Sequence, residues 1–251
     1  MTRLTTVQRA FEVIEMLWRL DGGGPAALAD RLDLPKSTVH DYLQTLETTG
    51  YVVQQDGVYH LSYKFLATGT RLQHRNKLYN VTRQELKALA EDTDENANIG
   101  IVENKRWILL NSERGDRSLD LGTFPGLSTP LHTHAAAKAL LAHLPESQRE
   151  AVFADGFASV TEQTMTDPTA LQSELETIRE NGYAVDTDQQ VKGMGVVAAP
   201  ILADGTAVGS VAIVCPSGRL DDEPYYKELI RKVRESADTI SVNYVYGDHS
   251  G

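Results

Sequence analysis

Residues 32–53 read LDLPKSTVHDYLQTLETTGYVV, and this stretch decides the fold of the N-terminal part of the chain. Pro35 opens it, Gly50 closes it, and the spacing of apolar residues between them predicts a helix over 36–49. The residues predicted to form its buried face lie three or four apart and are Val39, Leu43 and Leu46. Its polar face carries Lys36, Ser37, Thr38, His40, Asp41, Gln44 and Thr45. Polar side chains on the first turns are typical of a helix that enters the DNA major groove.

Two further helices are predicted before this segment and a β-hairpin after it. The first helix has one apolar stripe, made of Val7, Ala10, Phe11, Ile14, Leu17 and Trp18. A short helix over 26–32 follows, and two apolar runs at 51–53 and 58–61 flank Asp56-Gly57, which is a hairpin signal. Three helices followed by a hairpin predict a winged helix-turn-helix over residues 1–62.

The remainder of the chain alternates helices and strands. A helical linker is predicted over 63–78, and a larger domain over 79–251. Strands are predicted near 97–102, 107–111, 196–202 and 208–214, and helices near 78–91, 134–143, 147–153, 168–181 and 224–246. This order predicts an α+β protein, with an N-terminal winged helix-turn-helix followed by a C-terminal α/β domain.

The net charge of −11 over 251 residues is unusual for a protein that binds nucleic acid, so its distribution matters. Residues 1–75 carry eight basic and eight acidic side chains, whereas residues 76–251 carry 16 and 27. The acidic excess therefore lies away from the helix predicted to bind DNA. Only nine of the 24 basic residues are lysines, and this composition favours a salt-rich cytoplasm, as in a halophilic archaeon.

Several classes of protein are disfavoured by the sequence. No apolar run approaches the roughly 20 residues that a membrane-spanning helix needs, and the N-terminus has no export pattern, so we expect a cytoplasmic protein. Cys215 is the single cysteine and has no partner for an internal disulfide or a CxxC pair. A glycine-rich phosphate loop and a Gly-x-Ser-x-Gly elbow are both missing, so we expect neither an enzyme nor a cofactor.

Two alternative sites remain open at this point. His132 and His134, together with Asp186 and Asp188, offer side chains that bind metals or act as general bases. A histidine pair without a fixed third ligand is a weak signal, since histidines before a helix more often cap it or line a pocket. Cys215 is a candidate redox switch, although a lone cysteine after an apolar strand is usually a core residue.

Many short segments, dispersed along the chain in one order, match a known pattern. In the N-terminal part they are Val7-Gln8-Arg9-Ala10, Glu12-Val13-Ile14, Leu28-Ala29, residues 34–40, Gly50-Tyr51-Val52 and Tyr59-His60-Leu61. In the C-terminal part they are Pro130-Leu131-His132, residues 136–142, residues 182–186 and Ala198-Ala199-Pro200-Ile201. Over nearly its whole length the chain resembles the IclR family of transcription regulators.

The resemblance implies a regulator that binds a double-stranded DNA operator and responds to a small-molecule effector. It implies a GAF/profilin-like effector-binding domain and a homodimer or tetramer, with the linker helix in the interface. The residues expected to bind DNA are Lys36, Ser37, Thr38, His40, Gln44 and Thr45. The residues expected to line the effector pocket are Ala135, Ala136, Asp186, Val196, Ala212 and Val214.

The chemistry of these pocket positions predicts a class of effector. Amide groups at the helix start near Ala135 and Ala136 bind a carboxylate, and Asp186 accepts a hydrogen bond from a hydroxyl or amine. A small organic or sugar acid that carries a hydroxyl satisfies both. The alternative is a DNA-binding protein whose C-terminal domain is a structural, non-sensing oligomerisation domain.

The chain departs from the family pattern at several positions. Asp41 stands where a basic residue is frequent, which removes a phosphate contact. Ala137 replaces a usual glycine, and Gln189-Gln190 replace a usual acidic pair. The positions where hydroxyls and glycine are common hold Ala212, Val214 and Cys215. We therefore expect a more apolar pocket wall, suited to an aromatic or longer-chain acid.

Overall fold

The computed structural model describes residues 4–247, so the first three and last four residues of the predicted domains lie outside it. The chain divides into two compact units, with the boundary between Gln73 and His74. Each unit is described separately below. Between residues 4 and 247, no helix has the length and apolar character needed to cross a bilayer.

The N-terminal unit is a winged helix-turn-helix, as the sequence predicts. Its elements are α1 (Thr5–Arg19), α2 (Pro25–Leu32), α3 (Lys36–Thr48), β1 (Val52–Gln55), β2 (Val58–Leu61) and most of α4 (Lys64–Arg75), whose last two residues lie past the boundary. Strands β1 and β2 pair antiparallel, and the turn between them places Asp56 and Gly57 at φ +50° and +81°. Such left-handed angles at two adjacent residues explain why Asp-Gly is found in this hairpin.

The core of this unit is formed by α1, α2, α3 and the hairpin. Its fully buried members include Val13, Leu28, Val39 and Leu43. The predicted apolar stripe on α1 is only partly buried. Leu17 is buried and Ala10 and Ile14 are half-buried, whereas Val7, Phe11 and Trp18 are exposed. The helical period was right, but one side of the stripe has no partner within this unit.

The C-terminal unit is built on a six-stranded antiparallel sheet in the order β5-β4-β3-β8-β7-β6. Its strands are β3 (Asn96–Glu103), β4 (Arg106–Glu113), β5 (Ser128–Pro130), β6 (Ala184–Thr187), β7 (Met194–Ala203) and β8 (Thr206–Pro216). Its helices are α5 (Lys77–Thr93), α6 (Ala135–His143), α7 (Glu146–Ala154), α8 (Pro168–Asn181) and α9 (Glu223–Tyr246), with a 3-10 turn at Ser217–Asp221. The predicted fold class is confirmed.

Helices cover both faces of this sheet. One face packs against α6, which packs in turn against α8, and the core on this side contains Leu140, Leu171 and Ala198. The other face packs against α5 and α9 and buries Leu86, Ile213 and Val233. Alternate residues of β7 and β8 therefore point into two separate cores, which explains why both strands read as continuous apolar runs.

Strands β5 and β6 were not predicted as strands. They have three and four residues, too short for an alternating pattern to stand out. Strand β6 nevertheless matters, because it is the edge strand that carries Asp186.

Trp107 fixes the start of α6 against the sheet. Its indole Nε1 donates to Ser210 Oγ at 3.1 Å, and its ring meets the His134 ring edge-on, with centroids 4.8 Å apart. Gly100 provides the space, since a Cβ there would lie 2.0 Å from the indole. The residue before α6 is thereby held in place by side-chain packing.

Candidate functional site

Helix α3 presents the polar face that the sequence predicts for a DNA-reading helix. Its residues Val39, Leu43 and Leu46 are buried in the core of the N-terminal unit. Of the predicted DNA-binding residues, Thr38 is half-buried and the exposed ones are Lys36, Ser37, His40, Gln44 and Thr45. The structure therefore places these six residues on the first turns and outer face of one helix.

Two local features determine which hydrogen-bonding groups α3 offers to DNA. Thr45 Oγ1 donates to the Asp41 carbonyl oxygen at 2.8 Å, so this hydroxyl has only acceptor capacity left for a ligand. Pro35 precedes the helix and provides no side-chain cap. The first-turn amides of α3 are therefore available to a phosphate, as expected for an uncapped helix N-terminus.

The six predicted effector-pocket residues lie together between α6 and the sheet. Ala135 and Ala136 open α6, and in the sheet Asp186 pairs with Val196, which pairs in turn with Val214. Ala212 lies two residues before Val214 and therefore shares its sheet face. All six are buried, and five of them belong to one apolar cluster on the α6 side of the sheet.

Asp186 is the polar centre of this group. Its Oδ2 accepts a hydrogen bond from the Ala135 N–H at 2.5 Å, while its Oδ1 is buried without a partner of normal hydrogen-bond geometry among the described residues. Burial raises the pKa of Asp186 to about 6, and the positive charge of Lys138 and the backbone N–H groups of Ala135 and Gln189 oppose this shift. An acceptor buried without a donor is costly, so this oxygen favours a ligand that brings one.

One detail of the predicted pocket is wrong. The Ala135 amide was expected to face the carboxylate of an effector, but it is already bonded to Asp186. The physical reason is that His134 provides no side-chain cap for α6, so the buried first amide needs another acceptor. The Ala136 N–H has no acceptor among residues 4–247 and remains available to a ligand.

Lys138 is a buried charge whose position the sequence analysis missed. Its side chain is fully buried, and its Nζ donates to Glu174 Oε1 on α8 and to Gln189 Oε1 at 2.9 Å. Gln189, which replaces a usual acidic residue, thus supplies a neutral acceptor to the ammonium group. The available signal was a single lysine within the otherwise apolar run Ala135–Ala142.

Three further buried side-chain oxygens of the C-terminal unit lack donors among residues 4–247. They are Asn98 Oδ1, Glu174 Oε2 and Gln190 Oε1. Asn98 stands directly opposite Ala212 across the β3–β8 pair. A region rich in unpaired acceptors is complementary to hydroxyl or amine groups of a ligand.

A small cavity lies beside the strand residues of the predicted effector pocket. Asn96, the cross-strand partner of Val214, lines it, and its Nδ2 donates to the Leu119 carbonyl oxygen at 2.7 Å. The cavity has a volume of about 130 Å³ and runs under the loop that contains Leu119, Leu121 and Pro125.

The side chains do not support the alternative metal or general-base site. His132 Nε2 is bonded to the Ala158 carbonyl oxygen at 2.9 Å, and His134 Nε2 is bonded to Thr129 Oγ1 at 2.8 Å. Burial lowers the pKa of both histidines, that of His134 to about 3. Within residues 4–247, no three His, Cys, Asp or Glu side chains are arranged to hold a metal. Both histidines act here as packing and hydrogen-bonding groups.

Cys215 is a core residue. It is fully buried, and burial, together with the nearby Glu95 carboxylate, raises the pKa of its thiol to about 12. Since the thiolate is the reactive form, this environment opposes redox chemistry.

Comparison with known proteins agrees with this arrangement. The family model "IclR helix-turn-helix domain" matches residues 6–56, and "Bacterial transcriptional regulator IclR C-terminal" matches residues 70–242. The chain is 32% identical over 246 residues to the probable HTH-type transcriptional regulator ArcR of Halobacterium salinarum. The aligned region covers 96% of this chain and 94% of that protein.

Solved structures show the same fold. The IclR of Thermotoga maritima superposes with a TM-score of 0.81 at 24% identity, over 97% of this chain and 100% of that chain. An IclR homologue of Microbacterium hydrocarbonoxydans in complex with 4-hydroxybenzoate superposes with a TM-score of 0.79 at 21% identity, over 95% and 98% of the two chains. With both units matched by the family models, the chain belongs to the IclR family of transcriptional regulators, which are DNA-binding proteins and not enzymes.

Proposed function

We propose that this regulator binds its operator through α3 and that a small organic acid carrying a hydroxyl controls the affinity. The observation that carries the proposed effector class is the buried, unpartnered Oδ1 of Asp186 beside the start of α6. The regulator acts on chromosomal DNA and therefore works in the cytoplasm.

The surroundings of Asp186 define what the ligand needs. The free Ala136 N–H suits the carboxylate, and Asp186 Oδ1 suits the hydroxyl proton. Between them, Val196, Ala212 and Val214 form an apolar wall that suits a carbon skeleton. The related structure that binds 4-hydroxybenzoate, an aromatic hydroxy acid, supports this class of ligand.

A thermal-shift screen with matched pairs of acids tests this proposal. A ligand that binds only the native protein raises its stability by about 2.7 kcal/mol at 100 times its Kd. We expect 4-hydroxybenzoate, or another hydroxy acid in the panel, to raise Tm more than its analogue without the hydroxyl, such as benzoate. If no acid shifts Tm, the alternative of a non-sensing oligomerisation domain is favoured.

We also propose that the protein is a homodimer, or a tetramer made of two such dimers, with α4 as the linker helix in the interface. Exposed apolar side chains on α1 and at α4 are Leu4, Val7, Phe11, Trp18, Tyr63, Leu66 and Leu72, and their exposures range from 52 to 88%. Among residues 64–75 none is buried within one chain. A second copy presents the same apolar surfaces and covers them by symmetry.

Light scattering at micromolar concentration checks this assembly. We expect a mass of at least twice 27.6 kDa, because a single winged helix covers only one half-site of an operator. Introducing a charge with Leu72→Glu should shift the mass toward one chain. The exposed surface substitution Lys87→Ala, outside α1 and α4, serves as the control. A wild-type protein that stays monomeric contradicts the proposal.

Lys36→Ala and Ser37→Ala should each weaken DNA binding about five- to tenfold without changing Tm, since both side chains are exposed. Loss of the Lys36 charge should also reduce the slope of log K against log salt by about 0.9. The DNA is a fragment that the wild-type protein selects from a random pool, with affinity measured by anisotropy. If both variants bind DNA with wild-type affinity at one salt concentration, α3 is not the helix that enters the major groove.

A further inference from the structure

A second cleft lies at the opposite end of α6 from Asp186. It has a volume of about 270 Å³ and opens between the ends of α6 and α8 and the middle of α9. The lining residues are His143, Arg179, Gly182, Ala199, Pro200, Leu202, Arg234, Ala237, Asp238 and Ser241. Three of these lining residues, Arg179, Arg234 and His143, are of basic types, and Asp238 is the only acidic one among them, in a chain whose net charge is −11.

Arg179 supplies a positive charge to this cleft. Its Nε donates to the Ala142 carbonyl oxygen near the C-terminus of α6, which fixes the guanidinium group. Its Nη2 is buried without a hydrogen-bond partner among the described residues. The guanidinium group adds positive charge beside the cleft, while Nη2 itself has almost no accessible surface through which to contact an anion.

Arg234 is a second unpaired guanidinium at the same place. It extends over Gly182, where a Cβ would lie 3.9 Å from its Nε, and it forms no ion pair within residues 4–247. Arg231, three residues earlier on α9, is instead held by Glu228 and Glu235. Arg231 and Arg234 are thus both exposed on α9. Ion pairs already neutralise the charge of Arg231, whereas none within residues 4–247 neutralises that of Arg234.

His143 and the strand backbone restrict the ligand further. His143 Nδ1 is bonded to the Ala139 carbonyl oxygen at 3.0 Å, which leaves Nε2 for a ligand. Pro200 has no N–H, and the Leu202 N–H donates to Ser241 Oγ at 3.2 Å. Since these two strand residues have no free donor, the cleft is suited to an anion held by side chains and not to an added peptide strand.

We infer that this cleft is a second ligand site, for a small molecule that bears a tetrahedral dianion of the phosphate type. The unpaired guanidinium group of Arg234 and the positive charge of Arg179 suit the oxygens of such a group. The cleft has a volume of about 270 Å³ and is partly open to solvent, which gives room for a phosphorylated three-carbon compound. This inference is independent of the effector proposed for Asp186.

Isothermal titration with inorganic phosphate and with 3-phosphoglycerate, at fixed ionic strength in KCl, tests the site. We expect saturable binding to the wild type, at least tenfold weaker binding to Arg234→Gln, and an affinity within twofold of wild type for Arg231→Gln. Arg179→Gln should weaken binding as strongly. If Arg179→Gln does not fold, the exposed Arg234 still decides the outcome.

The two probes separate the sources of the phosphate group. Tighter binding of 3-phosphoglycerate indicates a phosphorylated metabolite, and equal binding indicates the free oxyanion; each supports the site. The inference is overturned if neither probe binds the wild type, if Arg234→Gln binds as the wild type does, or if Arg231→Gln loses as much affinity as Arg234→Gln. The last result would mean that general surface charge, and not the cleft, attracts the anion.

Discussion

Replacing Lys138 with methionine is expected to lower the free energy of unfolding by about 3–5 kcal/mol. Methionine keeps most of the length of the side chain but removes the ammonium group from Glu174 and Gln189. The Glu174 carboxylate is mostly buried and already has one unpartnered oxygen, so it would lose its only ion pair within the described residues. Urea denaturation followed by circular dichroism, at one fixed salt concentration, measures the loss.

Two control variants separate the buried pair from charge in general. Lys87→Met breaks an exposed pair with Glu91 at 3.6 Å on α5, which should change the free energy of unfolding by about 0.5 kcal/mol or less. The double variant Lys138→Met with Glu174→Leu should recover much of the loss, because neither charge remains unpaired.

Salt provides the second check on Lys138. The Debye length falls to about 3 Å in molar salt, which screens exposed pairs much more than buried ones. The destabilisation by Lys138→Met should therefore persist in molar KCl. A loss below about 1 kcal/mol, or one that molar KCl removes, would show that the pair does not hold α6 to α8.

Lys138 also shows that local sequence patterns do not predict contacts between distant residues. The run of small and apolar residues correctly predicted α6, but its partners Glu174 and Gln189 lie 36 and 51 residues away along the chain. Local periodicity reports which face of a helix is buried and contains no information on which distant side chain meets it. For the same reason, nothing in the sequence indicated that Asp186 would bond the Ala135 amide.

The fold itself was largely predictable, because its helices and long strands have clear apolar periods. The structure contains each predicted helix and strand. The observed ends differ from the predicted ones by about two residues, which is the usual variation between assignments of helix ends. The limits are visible in α1, where the stripe containing Phe11 and Trp18 is exposed. A period identifies an apolar face but not the surface that covers it, and here we propose a second copy of the chain.

Asp186→Asn is expected to remove a pH dependence of stability that burial imposes on the wild type. Burial raises the pKa of Asp186 to about 6 from an ordinary value of 3.8, so the folded protein keeps the proton to a higher pH than the unfolded chain. The contribution of Asp186 to stability should therefore fall as the pH rises from about 4 to about 6, by up to about 3 kcal/mol, and then stay level. His132 and His134, whose pKa values burial lowers, impose an opposite slope on both proteins. The difference in unfolding free energy between wild type and variant, measured from pH 4 to 8, should therefore show the Asp186 slope.

The same variant separates a ligand-binding role of Asp186 from a purely structural cap. Asparagine can still accept from the Ala135 N–H through its own Oδ1, which leaves an NH₂ group where the wild type has its unpartnered oxygen. The cap is kept, whereas the charged acceptor for a ligand hydroxyl is lost. We expect the affinity for a hydroxy acid to fall about tenfold, or about 1.4 kcal/mol, and that for its analogue without the hydroxyl to stay unchanged. Operator release should weaken in parallel, because a ligand shifts the regulator only through its differential affinity for the two states. If Asp186→Asn binds the hydroxy acid and releases DNA as the wild type does, Asp186 is only a cap for α6.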